Sequence, residues 1–598
     1  VADGAEAAAS TQQRAADRLL AHLARGSRGT LVLVAGGAVL SAAAQTTLPA
    51  TLGLAVDAAL HGRGSGALLV TGSLLAVFVL GETLADVAAG AAGAGGTARL
   101  RHALVRHTLR LGVGAGTRFP SGDLVSRVVG GTAEAGEAGA NVIWAVVSLL
   151  PTVGSLVALA LIDIWLAVAF AAALPLLTLA LRAFVRDTAT VIGHYQRAQG
   201  ALATLLSEAI GGARSIAAAG TLDRETTRVL GPLGDLRRHG RGMWRAQTRM
   251  AGQGALLLPL LEVSVLAVAG FELSAGRITA GELLAAGRYV TLGAGIGVVV
   301  TSLGQLARGR AGARRAAEVL AAPTPRHGRR TVPAGFGMLE FAQVSMRAPG
   351  GDEQDAERNA VLDGLDLVVP GGTCLAVVGR SGAGKSLLAA LAGGLLNPDR
   401  GQVLLDGVPL TELDRASLRR AVGYAFERPV LIGATVRDAI GFGPRQVSLG
   451  QVTSAAQAAR ADLFVRRLPD GYDTPLTEAP MSGGEAQRIG LARAFAHGGR
   501  VLILDDATSS LDTVTELQVS RAITDALVDR TRIIVAHRVT TAARADLVAW
   551  LDGGRVRALG PHHVLWQDPA YRAVFDPDDG LSADALSTTG EAARGGAA

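Results

Sequence analysis

Apolar residues fall in long blocks over the first half of the chain and in short ones over the second. The first block covers ~30–58, with Asp57 its only charge, and the second ~65–92, carrying Glu82 and Asp86. From Ala138 to Leu181 the only charge is Asp163, and further blocks lie at ~251–272 and ~281–306. A helix crosses a bilayer with about 20 apolar residues. The Ala138–Leu181 block is too long for one crossing, so it divides at Asp163 into two helices joined by a tight turn. The pattern predicts six membrane spans, with both chain ends on one side.

Arginine decides which side. Arg99, Arg101, Arg106, Arg110, Arg118 and Arg127 lie between spans two and three. Arg182, Arg186, Arg197, Arg214, Arg224, Arg237, Arg238, Arg241, Arg245 and Arg249 lie between spans four and five. The other connections carry only Arg63, none, and Arg277. The arginine-rich side is the cytoplasmic one. Both arginine-rich connections are helical in pattern, which extends the spans into the cytoplasm. Ahead of the first span, ~11–28 reads as an amphipathic helix with Arg14, Arg18, Arg25 and Arg28, suited to the membrane surface.

The texture changes at ~337. Short β-rich runs ("MLEFAQVSM", "CLAVVG", "RVLILDD", "TRIIVAH") alternate with helical patterns, predicting a soluble α/β domain. The expected organisation is an N-terminal helix over 1–29, a six-helix membrane domain over 30–310, a Pro/Gly/Arg linker over 311–336, the α/β domain over 337–576 and a low-complexity tail over 577–598.

Composition agrees with a membrane protein. Hydrophobic residues make up 49% and charged residues 18%, against about 25% charge in soluble domains. The net charge of +6 does not point to nucleic acid, because the arginines flank apolar runs. The 78 glycines suit close helix packing in lipid, and equally a GC-rich genome. The single cysteine, Cys374, excludes an intrachain disulfide. The chain contains one lysine, Lys385.

That lysine lies in "GRSGAGKS" (379–386), between an apolar strand and a helical run, which is the setting of a phosphate-binding loop. Gly379, Gly382 and Gly384 let the backbone of Gly379, Arg380, Ser381, Gly382, Ala383 and Gly384 curl so that N–H groups face phosphate. Lys385 reaches the terminal phosphates and Ser386 offers its hydroxyl to Mg²⁺. "RVLILDD" ends a strand in two acids, with Asp505 placed to hold Mg²⁺ through water.

Between these motifs lies "MSGGEAQRIGLARAFA" (481–496), which closely resembles the signature of ABC transporters. "DDATSSLD" (505–512) resembles their Walker B-to-D-loop stretch, ending here in Asp512. "VAHR" (535–538) resembles their phosphate-sensing switch, placing His537. The membrane half is similar to six-helix exporter half-transporters, with "FPSGDLVSRV" (119–128) and "LLSEAIGGARSIAAAGTLDRE" (205–225) resembling their two coupling segments. The resemblance implies that two half-transporters pair in the bilayer. Each ATP, with Mg²⁺, is then held between one chain's P-loop and the other's Ser482, Gly483, Gly484 and Glu485.

Three positions depart from the family pattern. Asp506 stands where a catalytic glutamate is usual. Glu427, in "VGYAFERPVLIGATVRD" (422–438), stands where a glutamine is usual. Ala348 stands where an aromatic would stack on adenine. All three weaken this chain's own ATP site, so the resemblance implies a heterodimer with one competent and one degenerate site; drift in a slow homodimer is the other reading. Glu82, Asp86, Glu262 and Arg288 lie in or near spans and mark either a polar translocation path or structural ion pairs. Trp144 and Trp165 read as interface anchors, and His102, His107 and His194 lack metal-ligand spacing. The function implied is ATP-driven export of an amphipathic cargo (peptide, lipid or secondary metabolite) across a bacterial cytoplasmic membrane. An importer on the same fold and an ATP-gated regulator or channel subunit stay open as alternatives.

Overall fold

The computed structural model describes residues 2–62, 65–112, 119–293, 296–347, 360–497, 499–525 and 529–575. Ala348, the acidic stretch 351–357 and the tail 577–598 lie outside the described residues. The chain divides into two compact units, Val1–Arg106 with Gly122–Ala321, and His107–Ser121 with Ala322–Ala598.

The first unit is helical. Its long helices are Arg28–Leu60, Ser65–Leu111, Thr132–Val147 continued by Leu149–Ile162, Ile164–Gly211, Leu233–Ser274, and Ala280–Gly293 followed by Ile296–Ala321. Among the described residues, Arg28–Leu60, Gly66–Leu111 and Ser121–Ile162 are long and apolar enough to cross a membrane. The 48 residues of Ile164–Gly211 make a rod of about 70 Å at 1.5 Å per residue, more than twice the roughly 30 Å of bilayer hydrocarbon. Short helices Ala213–Ala219 and Leu222–Leu230 follow it.

Two of the charges in the apolar blocks, Asp163 and Asp57, have structural work. Asp163 breaks the long block because its backbone turns extended (φ −159°, ψ 138°) and its side chain caps the next helix, accepting from Trp165 N at 2.8 Å. Asp57 accepts from Thr279 Oγ1 at 2.6 Å and Gly281 N at 2.8 Å, tying the end of one span to the start of another. Glycine opens these crossings: a methyl group on Gly281 would overlap the Gly53 carbonyl, and one on Gly37 would meet the Gly81 carbonyl. Packing thus uses the glycines where helices meet.

The helix end expected at 310 falls elsewhere in the structure. The helix that ends the membrane unit runs to Ala321 rather than stopping at 310, because Ala313, Ala316 and Val319 are buried and continue its packed stripe. The linker therefore shortens from 311–336 to the residues after Ala321. The N-terminal helix runs Ala2–Gly26, within the expected 1–29, and packs with the Ile296–Ala321 helix. Ala16 and Leu23 are buried, and Asp17 pairs with Arg310 at 3.3 Å.

The second unit holds two sheets. Strands β1 (Leu339–Arg347), β2 (Ala360–Val369), β4 (Arg400–Leu405) and β5 (Val408–Pro409) form an antiparallel sheet in the order β2-β1-β4-β5. The larger sheet contains β3 (Cys374–Val378), β6 (Val422–Ala425), β7 (Val501–Leu504), β8 (Thr531–Val535), β9 (Leu547–Asp552) and β10 (Arg555–Gly560). Its order is β10-β9-β3-β8-β7-β6, parallel except at β9/β10. Strands β3, β7 and β8 are buried along their whole length, as a parallel sheet covered on both faces requires. Cys374 sits in this core, where burial pushes its thiol up to about 11 and leaves it inert.

Candidate functional site

Parallel strands all point one way, so the loops after them gather at one edge, where open α/β sheets bind ligands. The phosphate loop follows β3, the Asp505–Asp506 pair follows β7, His537 follows β8 and Glu427 follows β6. Strand β8 lies between β3 and β7, which brings His537 between the phosphate loop and the two acids.

The phosphate loop enters the helix Lys385–Ala392 through Gly382 (φ +83°) and Gly384 (φ +91°), backbone states open to glycine. A side chain on Gly384 would also strike Leu362. Lys385 is buried, and its ammonium donates to the Gly379 carbonyl at 2.8 Å and the Arg380 carbonyl at 3.0 Å. Burial lowers its pKa, while Asp506 and Asp505 pull it back up. Ser381 and Ser386 are exposed at the loop, and Ala383 N closes the turn on the Arg380 carbonyl at 3.2 Å.

Asp505 is held from one side only. Its Oδ2 accepts from Tyr424 Oη at 3.1 Å, whereas its Oδ1 is buried with no partner. Burial first, and then Asp505, raise the Tyr424 pKa, so the phenol stays a donor. An orphaned carboxylate oxygen on the edge that carries the phosphate loop, with Lys385 close enough to feel the charge, suits a hydrated Mg²⁺ brought with nucleotide. Asp506 takes a left-handed backbone (φ +49°), and its Oδ2 stops 3.9 Å from His537 Nε2. Burial raises the Asp506 pKa; His537 and Lys385 oppose that, and Glu427 and Asp505 add to it. Glu427 therefore acts electrostatically on Asp506, with its own carboxylate 3.5 Å from Arg428 Nε. The arrangement can neutralise phosphate charge and orient a water, with Asp506 as acceptor and His537 as donor.

The signature helix Gly483–Ala496 is capped by Ser482 in a reciprocal box with Glu485. The Ser482 hydroxyl donates to Glu485 Oε2 at 2.9 Å, so it is turned toward its own helix. Asp512 likewise caps the helix Thr513–Asp525, accepting from Val514 N at 3.1 Å and Thr515 N at 2.9 Å.

Two linking side chains escaped the sequence reading, as did Tyr424. Buried Gln487 donates to the Glu427 carbonyl at 2.7 Å and Ser509 Oγ at 3.0 Å, and accepts from Ser510 N at 3.0 Å. It joins the Glu427 loop, the signature helix and the D-loop in one network. Arg538 pairs with buried Glu516, anchoring the residue next to His537. Gln487 lies inside the quoted run 481–496, but among its several polar residues nothing local marks this one as the link.

In the membrane unit, Glu82, Asp86 and Arg288 are exposed and Glu262 is half-buried. Among the described residues, no ion pair joins any of them, so the structural-pair explanation is not realised in this chain alone.

A model of the ABC transporter family matches residues 362–509, and one of the ABC transporter transmembrane region matches residues 31–292. The ABC transporter ATP-binding protein RamA of Streptomyces coelicolor is 46% identical over 553 residues, covering 92% of this chain and 85% of that protein. An ATP-dependent lipid A-core flippase of Chromobacterium violaceum is 30% identical over 475 residues, 78% of this chain and 80% of that one. A solved bacterial Atm1-family ABC exporter with ATP bound shares the fold, with a TM-score of 0.74 and 24% identity over 94% of this chain and 99% of that chain.

Proposed function

Since the chain belongs to the ABC transporter family, as an exporter half-transporter that couples ATP hydrolysis to transport, we propose that it moves an amphipathic substrate out of a bacterial cytoplasm as one half of an unequal pair. The observation that carries this reading is the gathering of Lys385, Asp505, Asp506 and His537 at one sheet edge, with Asp506 Oδ2 3.9 Å from His537 Nε2, beyond hydrogen-bond length. Such a site binds Mg²⁺ and ATP well and hydrolyses slowly. Bound Mg²⁺ would neutralise phosphate charge; Lys385 and the loop backbone would hold the nucleotide, and Asp506 and His537 would orient the attacking water. The partner chain supplies a competent site, and Ser482 to Glu485 of this chain complete it. A lipid is the substrate class favoured by the flippase relative, with a peptide or secondary metabolite as the other amphipathic candidates.

The test is native mass spectrometry of the complex purified from its host. A second chain of different sequence beside this 60.8 kDa one is the expected result. Two copies of this chain alone overturn the unequal pair. ATP-dependent accumulation of a fluorescent lipid in inside-out vesicles tests direction and cargo together; ATP-dependent loss instead would make the complex an importer.

A further inference from the structure

An open groove of about 400 Å³ lies in the membrane unit, lined by Trp165, Val168, Ala169, Val268, Phe271, Glu272 and Arg277. It sits beside two short interhelical turns, at Asp163 and at Ala275–Thr279. Its walls are apolar and outward-facing, with Trp165 58% and Phe271 68% exposed. Its end is charged. Glu272 is only 3% exposed, and both its oxygens are taken by Arg277 Nη1, at 3.2 and 2.9 Å. The Arg277 side chain remains 58% exposed, and no hydrogen bond of its Nε or Nη2 is found among the described residues. The other acids beside these turns already hold donors of their own: Asp163 caps Trp165 N, Glu282 accepts from Thr279 N, and Asp57 accepts from Thr279 Oγ1 and Gly281 N.

We infer that this groove binds an anionic phospholipid, one acyl chain lying along Trp165, Val168, Val268 and Phe271 and the phosphate meeting the free edge of the Arg277 guanidinium. An aromatic wall at a span end is where chain and headgroup meet, and the groove has the volume of a small-ligand pocket. A planar guanidinium with two unused donor groups matches phosphate oxygens. Glu272 does not cancel this. Its two oxygens are engaged and buried, so it holds Arg277 in place without offering an acceptor to a headgroup ammonium. A zwitterionic headgroup would bring its ammonium against the guanidinium, which favours phosphatidylglycerol over phosphatidylcholine. The site stands apart from the ATP-binding edge and from the cargo reading above.

The test is quenching of Trp165 fluorescence in the full complex, reconstituted in phosphatidylcholine vesicles containing brominated phosphatidylglycerol or brominated phosphatidylcholine. The Trp165 signal is the difference from the Trp165→Phe variant. Brominated phosphatidylglycerol should quench about five-fold more effectively per molecule, the ratio expected for one basic side chain at an anionic lipid. Arg277→Gln should bring that ratio to about one. Ala169→Phe, which fills the groove and leaves the ion pair intact, should also remove the preference. Equal quenching of the wild-type protein by both lipids would mean an ordinary lipid-facing wall. No quenching by either would mean that protein, such as a second chain, covers the groove. Either result overturns the assignment.

Discussion

Lengthening Asp506 to glutamate addresses the catalytic edge directly. The carboxylate stops 3.9 Å from His537 Nε2. One added methylene contributes a carbon–carbon bond of about 1.5 Å, enough to bring the two groups to roughly 2.7 Å, the length of a charge-assisted hydrogen bond. Misplacing a catalytic group by about 1 Å costs on the order of 10²-fold in rate. Asp506→Glu should therefore raise hydrolysis at this chain's own site by about 10- to 100-fold. The left-handed backbone at this position tolerates aspartate better than glutamate, so a stability loss of about 1 kcal/mol accompanies the gain and is read as a small fall in Tm. Vanadate-dependent trapping of photoreactive azido-ADP reports this site alone, because the label stays on the chain whose P-loop holds the nucleotide. Lys385→Ala is the blank. A labelling rate unchanged or lowered in Asp506→Glu, with the nucleotide still bound, would refute the idea that a short side chain limits the site.

Glu427→Gln removes a negative charge that raises the Asp506 pKa. Hydrolysis needs Asp506 ionised and falls as pH drops through its pKa, so the acid limb of the pH–rate profile should move to lower pH; a move upward would contradict the electrostatic coupling. Tyr424→Phe frees the second Asp505 oxygen from its donor and should raise the Mg²⁺ needed for half-maximal hydrolysis by about 10-fold, with Mg²⁺-free nucleotide binding unchanged. Gly281→Ala places a methyl group into the Gly53 carbonyl and the Asp57 carboxylate, costing roughly 1–3 kcal/mol. Its Tm in detergent should fall by several degrees, while Gly287→Ala, whose methyl would only touch Leu266 at 3.4 Å, should leave Tm nearly unchanged.

The ATP-binding motifs were legible in the chain because each is contiguous: glycines, a lysine and a hydroxyl must follow one another for a backbone loop to wrap phosphate. The membrane helices were legible because lipid demands unbroken apolar length, and Asp163 marked a turn because it is the one charge in a block too long for a single crossing. Long-range pairings were not legible. Nothing local announces that Asp57 caps a helix more than 200 residues away, that Tyr424 donates to Asp505, or that Gln487 ties three loops together. Strand order decides those, by placing β8 between β3 and β7 and so setting His537 beside Asp506. The motifs named the groups proposed to meet ATP; the sheet set the 3.9 Å gap on which the proposed rate depends. The glycines show the same division. Their number is compositional, but only helix packing reveals that Gly281 and Gly53 occupy a crossing where no side chain fits.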